Sequence, residues 1–216
     1  MSQIIAIFVT HQYILLVSIA ELIENKITQM PEGEVFFISD FADIGNDVAV
    51  RQTLQRLTRK SIIIRLSQGI YYFPVHSNLL GIVYPSAEKI ALAISKRDEA
   101  RLIPTGSYAL YKLGLSTQVP MNVVFLTDGS ARKMVVGNQK ITFKKTSPRN
   151  LAVSNKLTNL IVQSLKELGE KNVEANILQR LKEVITQSGE AEEIKRNMKY
   201  APVWIRNKVL QLMTEI

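Results

Sequence analysis

Four polar side chains that recur at helical spacing have the chemistry needed to recognise DNA. Gln52, Gln55, Arg56 and Arg59 lie on one side of a helix with about 3.6 residues per turn. Their amide and guanidinium groups can form hydrogen bonds with base edges and with phosphates. The other side of this helix carries the residues that we expect to be buried, which are Val50, Leu54, Leu57 and Ser61. We therefore predict a helix that presents a recognition face to solvent.

The segments on either side of this helix predict how it is held. The turn pair Gly45-Asn46 precedes it, and the carboxylate of Asp47 can accept hydrogen bonds from the free amides of its first turn. After it, β-branched and aromatic residues over 62–66 and 70–73 flank the turn at 67–69, which predicts a short hairpin. A helix followed by such a hairpin is the second half of a winged helix-turn-helix.

Further contacts to DNA are expected from the ends of the helix and from the wing. We expect Arg51 and Lys60 to lie near phosphates. Arg65, Ser67 and Gln68 would place the wing on the DNA backbone or in the minor groove. Tyr71 and Tyr72 alternate sides of the second wing strand, so we expect one of these two rings to be in the core.

The charges of this region are separated along the chain. Residues 31–47 hold five acidic residues and no basic residue, which are Glu32, Glu34, Asp40, Asp43 and Asp47. Residues 48–78 hold five basic residues and no acidic residue, which are Arg51, Arg56, Arg59, Lys60 and Arg65. The part predicted to face DNA is therefore the positive part.

The first half of the module is also visible in the sequence. Residues 18–30 place Ile19, Leu22, Ile23, Lys26 and Ile27 close together at helical spacing, before a stop at Pro31-Glu32-Gly33. Residues 35–38 predict a short strand, and Ser39-Asp40 begins a second short helix, FADI, that Gly45 ends.

The sequence of this module is similar to that of a known family. Residues 30–74 read MPEGEVFFISDFADIGNDVAVRQTLQRLTRKSIIIRLSQGIYYFP and resemble the N-terminal module of AbiE-type antitoxins, the transcriptional regulators of bacterial type IV toxin-antitoxin operons. Residues 85–152 read PSAEKIALAISKRDEARLIPTGSYALYKLGLSTQVPMNVVFLTDGSARKMVVGNQKITFKKTSPRNLA and resemble the second part of a bacterial branch of the same family. The resemblance covers roughly residues 18–210. It implies operator binding by the first part, and a nucleotidyltransferase toxin, encoded in the same operon, that the antitoxin opposes without forming a stable complex.

Residues 79–216 predict an α+β domain with a small sheet and C-terminal helices. A helix over 85–97 should turn Ile90, Leu92, Ala93 and Ile94 toward a core. After a strand at 102–103, Thr105 or Ser107 can cap a helix over 108–113, and 121–127 reads as a buried strand.

Strands at 133–136 and 140–145 form a hairpin with Val135, Ile141 and Phe143 inward. Helices are expected at 157–168, 175–186 and 203–214. The basic surface of this domain comprises Arg132, Lys133, Lys140, Lys144, Lys145 and Arg149.

Composition favours an anionic partner and limits catalytic chemistry. The 216 residues carry a net charge of +8 and no cysteine, which excludes disulfides and thiolate chemistry and fits a reducing cytoplasm. His11 and His76 are the only histidines, and we expect both to be structural or solvated. The uncharged run from Ile4 to Ala20 is interrupted by polar residues, so we expect residues 1–17 to be an apolar extension and not a membrane anchor.

One enzymatic alternative remains open. Thr105-Gly106-Ser107 followed by Thr127-Asp128 resembles the glycine-serine turn and the first metal-binding aspartate of nucleotidyltransferases, but the second carboxylate is missing because Gly129 and Ser130 follow. We therefore interpret Ser107 as a helix cap and Asp128-Gly129 as a turn. An RNA-binding module that uses the basic hairpin at 132–149 is a further alternative.

These observations combine into one expectation. We predict an α+β protein in which an extension at 1–17 precedes a winged helix-turn-helix at 18–78 and an antitoxin-like α+β domain at 79–216. It would be a cytoplasmic DNA-binding repressor and antitoxin, with double-stranded operator DNA and a nucleotidyltransferase toxin as functional partners. We expect no catalytic residue, no metal and no cofactor. Homodimerisation is compatible with this role, because repressors often bind two half-sites.

Overall fold

The computed structural model describes residues 18–214, and the chain divides into two compact units, Met1–Ser86 and Ala87–Ile216. We call them the N-terminal and the C-terminal unit. The predicted extension at 1–17 and the side chain of Arg149 lie outside the described residues. The division between the units falls after Ser86, whereas the sequence placed it after residue 78, because the strand at Gly81–Val83 pairs with the strand at Val75–Ser77 of the N-terminal unit.

The N-terminal unit combines two α-helices and a 3-10 helix with short strands. Its elements are α1 (Ile19–Thr28), β1 (Val35–Phe37), a 3-10 helix (Ile38–Phe41), α2 (Asp47–Arg59), β2 (Ile64–Ser67), β3 (Ile70–Tyr72), β4 (Val75–Ser77) and β5 (Gly81–Val83). β1, β3 and β2 form an antiparallel sheet in that order, and β4 pairs with β5. The predicted second helix FADI is instead a 3-10 turn that begins three residues earlier, at Ile38.

Side-chain caps fix where the two helices begin. At α1, the Glu21 amide donates to Ser18 Oγ at 3.2 Å while the Ser18 amide donates to Glu21 Oε2 at 2.8 Å. At α2, the Ala49 amide donates to Asn46 Oδ1 at 2.9 Å. The prediction that Asp47 caps α2 was therefore wrong by one residue, because Asp47 is already helical.

The core of the N-terminal unit joins both helices to the sheet. Its buried residues are Ile23, Ile27, Phe36, Phe41, Val50, Leu54, Leu57, Ile63 and Tyr71. Phe36 packs edge-on against Phe41 and stacks on Tyr71, both with 5.8 Å between ring centroids. The prediction that Ser61 is buried is wrong, because α2 ends before it and Ser61 is exposed. Tyr71 and Tyr72 are both buried, and Tyr71 is the one that belongs to this core cluster. Tyr72 lies outside the core cluster and its hydroxyl donates to the Val83 carbonyl at 2.7 Å.

The turn between the 3-10 helix and α2 is held by polar contacts and by close packing. The Phe37 amide donates to Asp40 Oδ2 at 2.8 Å. Lys26 Nζ donates to the Asp40 carbonyl at 2.6 Å and lies 3.2 Å from Asp43 Oδ1. A Cβ on Gly45 would lie 2.8 Å from Cγ2 of Ile19, so the start of α1 approaches this turn more closely than a side chain would allow.

The C-terminal unit combines a four-stranded sheet with helices. Its elements are α3 (Ala87–Asp98), β6 (Leu102–Thr105), α4 (Ser107–Lys112), β7 (Asn122–Thr127), β8 (Arg132–Val136), β9 (Gln139–Lys145), α5 (Lys156–Leu168), α6 (Ala175–Ser188), α7 (Ala191–Asn197) and α8 (Val203–Met213). The sheet order is β6-β7-β9-β8, with β7 and β9 parallel and the other two pairs antiparallel. The predicted α+β class, with small sheets and C-terminal helices, is confirmed.

Several side-chain orientations in this unit differ from the prediction. Met134 and Val136 are buried on β8, and Val135 is 63% exposed. On α3, Leu92 faces solvent, whereas its neighbour Ala91 is buried. Neither Thr105 nor Ser107 caps α4, because the capping position is occupied by Gly106 with φ +65.

The C-terminal helices share a second hydrophobic core. Ile161 and Leu165 of α5 pack with Leu181, Ile185 and residues of α7 and α8, and all four of these side chains are fully buried. The short helix α7 was absent from the sequence prediction. Within residues 18–214, no helix is long and apolar enough to cross a membrane.

Candidate nucleic-acid interface

Helix α2 presents its predicted recognition residues to solvent. Val50, Thr53, Leu54 and Leu57 face the core. Gln52, Gln55, Arg56 and Arg59 are all exposed, and so are Arg51 and Lys60 at the edges of the face. The amphipathic spacing therefore orients α2 so that its polar side chains are available to a ligand.

One exposed residue of this face was missed in the sequence. Val48 lies in the first turn of α2 and is 64% exposed. It stands four residues before Gln52 and seven before Gln55, so the three side chains form one stripe. A valine in such a stripe can contact the methyl group of thymine. The sequence contained a signal for this residue, because Val48 is an apolar residue at a position that helical spacing assigns to the polar face.

Two of the α2 arginines are paired with acidic residues of the same unit. Arg56 forms an ion pair with Glu24 of α1, and the Arg51 guanidinium lies 3.4 Å from the Asp47 carboxylate. Arg59 and Lys60 have no ion-pair partner among residues 18–214. The basic side chains that are immediately available for phosphates are thus Arg59 of α2 and Lys60, which directly follows the helix.

The wing is shaped by a bulge and by a left-handed glycine. The register of β2 against β3 shifts between Arg65 and Ser67. Gly69 has a φ of +71, a conformation that favours glycine in the turn. Arg65 Nε donates to the Ser67 carbonyl at 3.3 Å, and Gln68 is exposed at the tip. These contacts place the three predicted wing residues together at the turn.

The basic residues of the C-terminal unit fall into separate groups. Arg132 donates to Asp98 at 2.6 Å, and both side chains are only 18% exposed. Partial burial opposes ionisation of Asp98, but the hydrogen bonds from Arg97 and Arg132 outweigh it and lower the pKa of this carboxyl. Arg132 is therefore engaged within the fold, unlike the exposed lysines 133, 140, 144 and 145.

The residues of the nucleotidyltransferase alternative do not come together. In the antiparallel register of β6 and β7, Thr105 pairs with Val124 and Leu102 pairs with Thr127. Ser107 and Asp128 consequently lie beyond opposite ends of this strand pair, which spans about 10 Å.

Asp128 itself is held by its neighbours. It accepts hydrogen bonds from the Arg101 amide at 2.8 Å and from Arg101 Nε at 3.2 Å. Burial opposes ionisation, and these bonds overcome it to lower the pKa of Asp128. Residues 18–214 contain no cluster of three or more His, Asp or Glu side chains that could hold a metal ion.

Comparisons with known proteins place the chain in a family. The fold is similar to the crystal structure of the RV2827C protein from Mycobacterium tuberculosis, with a TM-score of 0.50, 12% identity, and coverage of 89% of this chain and 75% of that one. A search of curated proteins found no match. The model of a family described as "Family of unknown function (DUF6088)" matches residues 22–194. Because this match spans most of the sequence, the chain belongs to the DUF6088 family.

Proposed function

We propose that the protein is a DNA-binding transcriptional regulator that inserts α2 into the major groove of its operator. The observation that carries this proposal is the exposed stripe of Val48, Gln52, Gln55 and Arg59 on a helix that lies between a tight turn and a wing. A solvated polar face is common on surface helices, so the support comes from the position of this face between a tight turn and a hairpin that bears Arg65, Ser67 and Gln68. Its side chains match the donors, acceptors and methyl groups that base pairs present in the major groove.

The chemistry of each side chain suggests its contact. Glutamine amides can pair with adenine, so Gln52 and Gln55 are the candidates for base recognition. Arg59 can bind a guanine through two hydrogen bonds or a phosphate through its charge. Val48 would contact a thymine methyl group. Lys60 and the wing residues would fix the protein on the DNA backbone without contributing sequence information.

The regulator is further proposed to be the antitoxin of a type IV toxin-antitoxin operon. This rests on the sequence resemblance over 30–74 and 85–152. The nucleotidyltransferase toxin would be encoded beside it, and the protein would repress its own cytoplasmic operon and counteract the toxin without a stable complex. Two copies of the protein would bind two half-sites if the operator is palindromic.

A promoter fusion tests the regulatory function. DNA from directly upstream of the gene is fused to a fluorescent reporter in a bacterial host, and the protein is supplied from a plasmid. We expect repression by the wild-type chain and loss of repression with Gln55→Ala/Arg59→Ala. Lys171→Ala/Lys195→Ala in the C-terminal unit is the control, and it should repress normally. Equal reporter levels with and without the wild-type protein would contradict the proposal.

Growth rescue tests the antitoxin function separately. The gene next to this one is expressed alone and together with the protein. If the neighbour is a nucleotidyltransferase toxin, its expression should stop growth and co-expression should restore it. The Gln55→Ala/Arg59→Ala variant should also restore growth, because neutralising the toxin does not require operator binding. Failure of the wild-type chain to restore growth would remove the antitoxin role and leave the DNA-binding role intact.

A further inference from the structure

The middle of the C-terminal unit has an extreme charge distribution. Residues 129–166 contain no acidic residue, and they contain eight basic residues, which are Arg132, Lys133, Lys140, Lys144, Lys145, Arg149, Lys156 and Lys166. Strands β8 and β9 lie within this segment. No acidic residue within this segment balances its positive charge, and of its basic residues Arg132 is paired with Asp98 from outside the segment.

Strand register places three of these lysines on one face of the sheet. Lys133 pairs with Thr142, and Val135 pairs with Lys140. Lys144 is on the same side of β9 as Lys140, because side chains on a strand alternate. We call Lys133, Lys140 and Lys144 the lysine face. Lys145 points to the other side of β9.

The spacing of the lysine face follows from strand geometry. Lys140 and Lys144 are separated along β9 by about 13 Å, at about 3.3 Å per residue. Lys133 stands midway between them along the strand direction, on the neighbouring strand about 5 Å to the side. The three ammonium groups thus form an extended row.

The lysine face is open to solvent. All three lysines are exposed, and none has an ion-pair partner among residues 18–214. Val135, between them, is 63% exposed. The same face of the sheet is covered at β6, where Thr105 Oγ1 donates to Gln163 Oε1 of α5 at 3.0 Å and Ile103 is buried. The exposed lysines and Val135 thus lie on the β8 and β9 part of this face, away from the contact of β6 with α5.

We infer that the lysine face binds the phosphodiester backbone of duplex nucleic acid. A row of solvated ammonium groups without a carboxylate attracts phosphates and gives no means of reading bases. The face has no aromatic ring on which unpaired bases could stack, which disfavours single strands. On β8 and β9 this face carries one apolar side chain, Val135, and the adjacent Val124 and Leu126 of β7 are only partly exposed. This leaves little exposed apolar surface for a protein interface core or for insertion into a membrane.

This second nucleic-acid surface is independent of the proposed role of α2. The N-terminal unit would choose the sequence, and the lysine face would add affinity for backbone of any sequence. The same chemistry fits DNA and RNA duplexes, so both are used as probes.

Salt-dependent binding of a scrambled duplex tests the inference. Fluorescence anisotropy is measured with full-length protein and a labelled 30-base-pair DNA or RNA duplex at 50 and 200 mM salt. The test variant is Lys133→Ala/Lys140→Ala/Lys144→Ala. The matched control, Lys96→Ala/Lys171→Ala/Lys195→Ala, removes the same charge from exposed lysines elsewhere in the unit.

The expected loss follows from counterion release. Three phosphate contacts contribute about 2.7 to the slope of log affinity against log salt concentration for DNA. The ratio of wild-type affinity to test-variant affinity should therefore be about 40-fold larger at 50 mM than at 200 mM salt. The control should stay close to wild type, and a triple lysine-to-arginine variant of the lysine face should bind normally. Loss on both duplexes assigns a general phosphodiester surface, and loss on one assigns that nucleic acid. Equal effects of test and control variants would overturn the inference, because only net charge would then matter.

Discussion

Replacing Glu24 by glutamine should strengthen DNA binding, because Glu24 holds Arg56 of α2 in an ion pair. The substitution keeps the shape of the side chain and removes its charge. Arg56 would then be free to reach a phosphate, and a negative charge would disappear from the neighbourhood of the recognition face. The prediction therefore concerns both the fold, which should tolerate the change, and the interface, which should gain a cation.

The two magnitudes follow from exposure and from counterion release. The side chains of Arg56 and Glu24 are 48% and 36% exposed. A pair this exposed contributes at most about 1 kcal/mol, so the free energy of unfolding should fall by no more than that. One additional phosphate contact adds about 0.9 to the salt slope, so the gain in affinity should be about 3.5-fold larger at 50 mM than at 200 mM salt.

Anisotropy with upstream DNA at both salt concentrations measures this gain. Glu34→Gln is the matched control, because it removes the same charge just before β1, at the opposite edge of the sheet from β2. Glu24→Gln/Arg56→Gln should lose the steeper slope. If Glu24→Gln leaves the slope unchanged or lowers the affinity, Arg56 is not a latent phosphate contact and the reasoning is refuted.

Three further predictions concern stability and are measured by urea unfolding. Asn46→Ala removes the cap on the Ala49 amide and should cost about 1 kcal/mol, whereas no loss would mean that the cap is dispensable. Asp98→Asn leaves the mostly buried Arg132 guanidinium without its counter-charge and should cost about 1–3 kcal/mol at pH 7. The pKa of Asp98 is lowered below 3.8, so the difference in the free energy of unfolding between wild type and Asp98→Asn should shrink as the pH falls through that lowered pKa. A difference that stays constant with pH would contradict this prediction. Burial raises the pKa of Tyr108 from 10.0 to about 12, so above pH 10 unfolding releases a proton and the free energy of unfolding falls as the pH rises toward 12. Tyr108→Phe should make this fall less steep. An unchanged dependence of the free energy of unfolding on pH would exclude Tyr108 as its source.

Local periodicity was sufficient to predict helix α2 and its exposed face. The spacing of Val50, Leu54 and Leu57 determines which side of α2 is buried, so the exposed side followed directly. The cap was misplaced because Asn46 and Asp47 are adjacent residues with similar capping chemistry, and only backbone geometry distinguishes them. Val48 was missed because an exposed valine contradicts the usual preference of apolar residues for the core.

Features that depend on long-range pairing could not be predicted. Met134, Val135 and Val136 are all apolar, so the sequence does not show which side chains of β8 face the core until the register of β8 against β9 is known. The same holds for the separation of Ser107 from Asp128, which follows from the register of β6 and β7. The ion pairs of Arg56 with Glu24 and of Arg132 with Asp98 join residues 32 and 34 positions apart, and only the tertiary fold brings them into contact.

Binding to the upstream DNA tests the central claim most directly. Wild-type protein is compared with Gln52→Ala/Gln55→Ala, which removes two amides from the exposed face of α2 without changing the net charge. Anisotropy is recorded with upstream and scrambled duplexes at one salt concentration. The account predicts that wild type prefers the upstream duplex and that the variant binds both duplexes equally, at the affinity of wild type for scrambled DNA. Undiminished preference in the variant, or no preference in wild type, would contradict the assignment of α2 as the recognition helix.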